Sequence, residues 1–481
     1  MVTSLLNLID GELVPPLGGA YLDVFEPATG AAYARCPASD ARDVEAAVAA
    51  ARRVAPAWGR LPAGTRARCL RALADSIETR ADEFAAEESR DTGKPLALAR
   101  RVDIARAVTN LRFFADAVTQ WRSDTYADAG AVNMTLRQPL GVVGCVSPWN
   151  LPLYLFTWKI APALAVGNAV VAKPSEITPY TAFHLSQLVS QAGFPAGALN
   201  IVQGTGPSVG QAIVDHPAVS AISFTGSTRV GHAIAASAAR SFKKVSLEMG
   251  GKNPTIIFAD ADLSEANLST IISSGFSNQG EICLCGSRVL VQRPIYDSFK
   301  ATYLERVRRL RVGDPNDGSV DLGALVSEAH FDKVTACIAR ARDEGGSVLT
   351  GGQPLRVEGR CTGGWFVAPT VIEGLGQDRA TNREEIFGPV VTLLPFEDEG
   401  EAIALANGTD YGLAASVWTR DVSRAQRVSS AINFGIVWVN CWMVRDLRTP
   451  FGGVKNSGFG REGGTDALRF FTEPKNVCIA A

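Results

Sequence analysis

The stretch 278–288, NQGEICLCGSR, sets Cys283 and Cys285 one residue apart, beside Glu281 and between two glycines. Such a pair can clip a metal, form a disulfide or present one reactive thiolate. A structural zinc site needs about four well-placed ligands. The four histidines, His184, His216, His232 and His330, stand neither in HExxH nor beside a cysteine pair, and no CxxC occurs. No metal is expected. A structural disulfide between such near neighbours would be strained. The remaining cysteines are isolated along the chain, and most of them read as small core residues.

Other polar residues gather where apolar runs end. In KKVSLEMGGKN, Glu248 closes an apolar run before two glycines, where a general base facing a cleft would sit. A solvated turn acid would look the same. FTGSTRVG places Gly226 and Ser227 between a strand and a helix, where backbone N–H groups and the helix dipole favour a pyrophosphate. Its GxxxxG spacing departs from GxGxxG, as does that of GTGPSVG at 204–210, so ordinary turn chemistry competes. In AKPSE, Lys173 and Glu176 leave a strand end three residues apart. A carboxylate there can accept ribose hydroxyls and repel a 2′-phosphate, which favours NAD over NADP. A helix N-terminal acid is the competing reading.

The elements that must hold these residues follow from periodicity. From about residue 40, DARDVEAAVAAARRVAPAW, TRARCLRALADSIETRADEFAAEES and LARRVDIARAVTNLRFFADAVTQW read as three helices. Between 140 and 260, apolar strands alternate with helices, the pattern of an open parallel sheet whose ligands lie beyond its strand ends. A second alternation, from RVLVQRP to NFGIVWVN, predicts a second α/β domain. The C-terminal FFTEPKNVCIAA reads as an edge strand of the kind that pairs with another subunit. With 481 residues the chain needs two or three domains. A formal charge of −2 provides no general attraction to nucleic acid or anionic membrane. The longest strongly apolar run, 13 residues between Lys159 and Lys173, is too short to span a bilayer. The N-terminus lacks a signal-peptide pattern, so a soluble cytoplasmic protein is expected.

Taken together, NQGEIC, LEMGGKN, SPWN, FTGS, REEIFGP and TPFGGVKNSGFGRE, in that family's motif order over nearly the whole chain, resemble the aldehyde dehydrogenase superfamily. The resemblance implies a Rossmann-type parallel-sheet domain binding NAD (1–122 and 142–250), an α/β catalytic domain (251–448) and a small β oligomerisation extension (123–141 and 449–481). It makes Cys283 the nucleophile, Glu248 the general base and Asn150 the oxyanion donor. Cys285 falls where the family often has a small residue. Trp149, Lys173, Glu176, Gly226, Ser227, Glu385 and Phe387 become cofactor contacts, and a homodimer or homotetramer is expected.

Two arginines bear on the substrate. Arg445 follows FGIVWVNCWMV, and Arg106 lies in VDIARAVTNLRFF. By the resemblance both fall on the substrate tunnel, with Leu151, Tyr154 and Trp158 supplying apolar wall. A guanidinium fork suits a carboxylate, so the expected substrate carries one far from its aldehyde. The plain alternative pairs Arg106 with Asp103 and Arg445 with Asp446 on the surface. SPWNLPLYLFTWKIAPALAVGN and NCWMVRDLRTPFGG are similar to the family's branch acting on 2-aminomuconate 6-semialdehyde (kynurenine and tryptophan catabolism), with the 2-hydroxymuconate semialdehyde enzymes very close. Competing expectations are a broad-range or betaine aldehyde dehydrogenase, whose cationic substrate two arginines would repel, and a non-catalytic relative, which would not need Cys283, Glu248, Asn150 and Glu385 together.

Overall fold

The structure, a computed structural model, describes residues 2–480; the two terminal residues of the expected ranges lie outside it. Two parallel sheets organise the chain. The first has eight strands in the order Gly458–Phe459, Lys244–Glu248, Val219–Thr225, Val142–Val146, Ala169–Lys173, Leu199–Ile201, Asn7–Ile9 and Glu12–Val14. Its five central strands are parallel, with antiparallel pairs at both edges. Val142–Val146 and Ala169–Lys173 are buried throughout, as a sheet covered on both faces requires. The chain crosses between them through Pro152–Ala165, a helix buried along its whole length, which explains why its apolar residues show no one-sided stripe.

The second sheet runs Ser347–Thr350, Thr370–Glu373, Val390–Phe396, Arg288–Gln292, Pro254–Ile257, Ala414–Trp418 and Ile436–Val439, parallel except for its first pair. The α/β class and both alternations are therefore present. A three-stranded antiparallel sheet stands apart, with Thr472–Ala480 at one edge against Ala131–Pro139, which also pairs with Thr125–Asp128. The terminal segment is an edge strand, as expected.

Several elements differ from the periodicity reading. The second helix is two, Ala63–Thr79 and Ala81–Thr92, separated by a non-helical Arg80 (φ −110°, ψ 24°). Neither proline nor glycine marks that break, so the apolar pattern runs across it. The third helix begins with a wide turn over Ala99–Ile104 before Ala105–Thr119. The central strand Pro254–Ile257 escaped notice because it is four residues long and directly follows the glycine pair of LEMGGKN. The range 449–481 contributes to more than the three-stranded sheet. Phe459 pairs with Leu247 in the first sheet, and Leu468 and Phe471 pack in the core around helix Pro152–Ala165.

Candidate active site

Cys283 sits on a loop that the backbone reaches through three left-handed residues in succession, Asn278 (φ 53°), Gln279 (φ 55°) and Gly280 (φ 74°). Two non-glycine residues there are costly and persist only when their surroundings hold them. Here they do. The buried Asn278 amide donates to the carbonyls of Asn150 (3.3 Å) and Glu281 (3.1 Å). Gln279 donates to the Ala324 carbonyl (3.2 Å) and accepts from the Gly323 N–H (3.2 Å). A Cβ at Gly280 would run into the Gly388 carbonyl, so both the dihedral and the space demand glycine. Asn253 pins the loop from below, its amide donating to the carbonyls of Cys283 (2.7 Å) and Cys285 (3.0 Å).

Cys283 keeps partial access to solvent whereas Cys285 is buried. Burial, then the charges of Glu385 and Glu248, pushes the Cys283 thiol well above its usual range, and Arg445 opposes this. Burial pushes Cys285 up to about 12. Among the described residues, no group of histidines, cysteines and acids is arranged to hold a metal.

A cavity of about 240 Å³ opens onto Cys283, and its wall includes Asn150, Trp149, Gly226, Ser227, Glu385 and Phe387. Seven sequence-selected residues thus meet at one site. Asn150 is buried, and its side-chain amide donates to the Glu281 carbonyl (2.8 Å), two residues before the thiol. Ser227 caps helix Thr228–Ala239 and accepts from the Val230 N–H. Glu385 accepts from the Gly251 N–H (3.0 Å) and crowds Gly250, where any Cβ would overlap its carboxylate. Phe387 adopts φ 63° and meets Trp149 edge-on at 5.2 Å.

Lys173 and Glu176 lie outside that wall and bind each other (2.8 Å). Burial works against the Glu176 charge, but the Lys173 ammonium and its hydrogen bond hold the carboxyl below the usual range. The acid therefore stands ionised at the strand end.

Glu248 also lies off the cavity wall. It ends its strand beside Thr225, and its carbonyl accepts from the Gly226 N–H (3.0 Å), so base and glycine turn share one backbone tie. Neither carboxylate oxygen has a hydrogen-bond partner among the described residues. Burial, then Glu462, raises the Glu248 carboxyl well above its usual range, against the cations Lys159, Arg461 and Arg445. Lys159 and Glu462 form a buried pair (2.8 Å) nearby.

The arginines do not form the plain surface pairs. Asp103 is taken by Lys94 (2.7 Å) and Asp446 by Arg448 (2.5 Å). Both arginines instead converge on the buried Tyr154. The Arg106 guanidinium lies 5.6 Å from the Tyr154 ring centre. Arg445 donates Nη1 to the Tyr154 hydroxyl (3.4 Å) and stacks over Phe451 (4.1 Å), with Trp158 at 5.8 Å. Neither guanidinium has a carboxylate partner among the described residues. Leu151 faces a separate cavity of about 360 Å³ lined also by Ile282, Trp442 and Met443; Arg106 and Arg445 are not on its wall.

Three residues at the first cavity or its loops escaped the sequence reading. His330 lines the cavity, meets Trp149 edge-on (5.0 Å) and shares a hydrogen bond with the Phe387 carbonyl (2.6 Å). Burial pulls its pKa down to about 4, so it is neutral near pH 7. Lys333 lines the same wall, and Lys94 lies behind Asn150. Each is one charged or aromatic residue on an ordinary helix or turn, a pattern shared by dozens of structural positions.

Comparison with known proteins identifies the family. The family model described as the aldehyde dehydrogenase family matches residues 16–477. A 2-aminomuconic semialdehyde dehydrogenase of Danio rerio is 50% identical over 98% of this chain and 97% of its own length. A 2-hydroxymuconic semialdehyde dehydrogenase of Pseudomonas sp. (strain CF600) is 45% identical over 98% of this chain and 99% of its own. Among solved structures, the P. syringae indole-3-acetaldehyde dehydrogenase with NAD+ is similar with TM-score 0.97 and 37% identity, covering 100% of this chain and 97% of that one. A thiol on a strained loop, a buried amide beside it, a capped helix end across the cavity and full-length likeness lead to one family: the chain belongs to the aldehyde dehydrogenases.

Proposed function

We propose that this chain oxidises the aldehyde of a carboxylated, unsaturated semialdehyde to the acid with NAD as acceptor, with 2-aminomuconate 6-semialdehyde as substrate. The observation that carries the substrate reading is the pair of guanidiniums without a carboxylate partner, Arg106 at the Tyr154 ring and Arg445 at its hydroxyl. They offer a carboxylate a half-buried, cationic seat, and they disfavour a betaine aldehyde. The 50% identity to the Danio rerio 2-aminomuconic enzyme supports the same reading, and the Pseudomonas 2-hydroxymuconic enzyme at 45% supports the hydroxy analogue as second reading.

The residues fit the dinucleotide. The Ser227-capped helix end suits its pyrophosphate, the ionised Glu176 suits an adenosine ribose and repels a 2′-phosphate, and Glu385 on the cavity wall suits the nicotinamide ribose. Trp149 and Phe387 flank that wall. When bound, NAD supplies the hydride acceptor.

The chain's own residues do the rest. Cys283, once its thiol proton has passed to water, adds as thiolate to the aldehyde carbon, giving a thiohemiacetal oxyanion. The Asn150 amide and the Cys283 backbone N–H stabilise that charge, each donor being worth about 2.7–4 kcal/mol of barrier. Loss of hydride leaves a thioester on Cys283. Glu248, as carboxylate, takes a proton from water, whose oxygen attacks the thioester carbon and releases the acid and the thiol. We assign residues 1–122 and 142–250 to cofactor binding and 251–448 to catalysis. The open edge of the three-stranded sheet suits assembly into a homodimer or homotetramer. No helix among the described residues is long and apolar enough to cross a membrane.

The test is Glu248→Gln. It should keep a rapid first turnover of NADH while steady-state turnover falls steeply, because acylation survives and hydrolysis does not. Equal loss of both phases would remove Glu248 from the hydrolytic step.

A further inference from the structure

Behind Asn150 lies a fully buried ion pair that the mechanism above does not use. The Lys94 ammonium donates to Asp103 (2.7 Å), both side chains being 0% exposed, and also to the backbone carbonyl of Asn150 (3.0 Å). A buried pair of this kind is weak evidence for stability, since desolvation offsets most of its attraction. Its placement is more informative.

Lys94 follows Gly93, a left-handed residue (φ 76°) ending helix Ala81–Thr92, whose carbonyl accepts from the Ala324 N–H (3.0 Å). Gly323 and Ala324 are the residues that clasp Gln279, and the Val326 N–H holds the Glu281 carboxylate (3.1 Å). One short segment therefore braces both the turn that delivers Lys94 and the strained loop that delivers Cys283. Asp103 sits in the wide turn Ala99–Ile104, and that extra width carries it inward to the ammonium. The Asn150 carbonyl then receives two donors, Lys94 Nζ and the Asn278 amide, while the Asn150 amide is free to reach across to the Cys283 loop.

We propose that Lys94 is a positioning residue for the oxyanion donor: its ammonium, fixed by Asp103, holds the Asn150 backbone so that the side-chain amide can donate to the oxyanion formed on the carbon bonded to Cys283. The inference rests on the oxyanion role proposed for Asn150. Lys94 touches neither substrate nor cofactor; it acts through a backbone carbonyl. A donor displaced by about 1 Å can cost on the order of 100-fold in rate, so removing the hold should lower kcat by roughly 10- to 100-fold with little change in KM.

The experiment is a double-mutant cycle on the full-length chain, with kcat, KM and the rate of Cys283 alkylation by iodoacetamide as readouts. Asn150→Ala alone should lower kcat by roughly 100- to 1,000-fold. Lys94→Met should lower kcat and leave alkylation unchanged. Combined with Asn150→Ala it should add almost nothing, because the group it positions is gone. Fully additive losses would overturn the role of Lys94. An unaffected kcat in Asn150→Ala would instead remove the oxyanion role beneath it, which separates the two failures. Since Lys94→Met strands the Asp103 charge, Lys94→Met/Asp103→Leu replaces the pair with apolar groups and spares the fold. This variant should remain as slow as Lys94→Met, and recovery of kcat in it would overturn the proposal.

Discussion

Replacing Arg445 by alanine removes one specific interaction and leaves a measurable partner effect to control for it. The guanidinium is half-buried against Phe451 (4.1 Å) and hydrogen-bonded only to the Tyr154 hydroxyl (3.4 Å). No salt-bridged carboxylate is broken by its loss, so the substrate-dependent part of the rate change reports what a substrate carboxylate gains there. Hydrogen bonds to charged groups are worth about 1.5–3 kcal/mol. At about 1.36 kcal/mol per tenfold, kcat/KM for a carboxylated semialdehyde should fall roughly 10- to 160-fold. Arg445 also helps hold down the Cys283 and Glu248 pKa values, so its removal slows every substrate somewhat. The assay is therefore a ratio: kcat/KM for 2-hydroxymuconate semialdehyde over kcat/KM for an uncharged aldehyde, in wild type and variant. Arg445→Lys should fall between the two, keeping the charge without the fork. If both substrates lose rate equally in Arg445→Ala, the residue acts through electrostatics alone and the clamp is refuted.

Steady-state kcat should rise with pH above the ordinary carboxylate range, since burial raises the Glu248 acid and its base form appears only as the proton leaves. The burst rate should also rise with pH, and continue into the alkaline range, because burial raises the Cys283 thiol too; in Glu248→Gln only the burst should keep its pH dependence. A flat kcat profile in wild type, with hydrolysis shown to be rate-limiting, would contradict the base assignment. Gly280→Ala combines a left-handed backbone with a Cβ against the Gly388 carbonyl, at a cost of about 2–5 kcal/mol, and should lower Tm by several degrees. An unchanged Tm would show that the loop relaxes without loss.

Both sheets were readable in the sequence because their strands are short apolar runs ending in polar turns, the pattern a parallel sheet imposes. Cys283, Asn150 and Glu385 were readable because each belongs to a local string, and local strings survive in one dimension. What escaped was contact at long range. The role of Lys94 depends on a residue 56 positions away, and Asn253 grips carbonyls 30 and 32 positions on. The break at Arg80 and the wide turn at Ala99–Ile104 escaped for a related reason. Tertiary contacts override a helical pattern there that nothing local interrupts. The arginines were chosen for their type, but their shared seat on Tyr154 required the fold.

The central claim is that this dehydrogenase selects an aldehyde whose far end is a carboxylate. Its most direct measurement is NADH formation, side by side, from 2-aminomuconate 6-semialdehyde, 2-hydroxymuconate semialdehyde and an uncharged aldehyde of similar length. kcat/KM for the carboxylated substrates should lie at least roughly 10-fold above that for the uncharged one, with the amino compound first. Equal or greater efficiency on the uncharged aldehyde would contradict it.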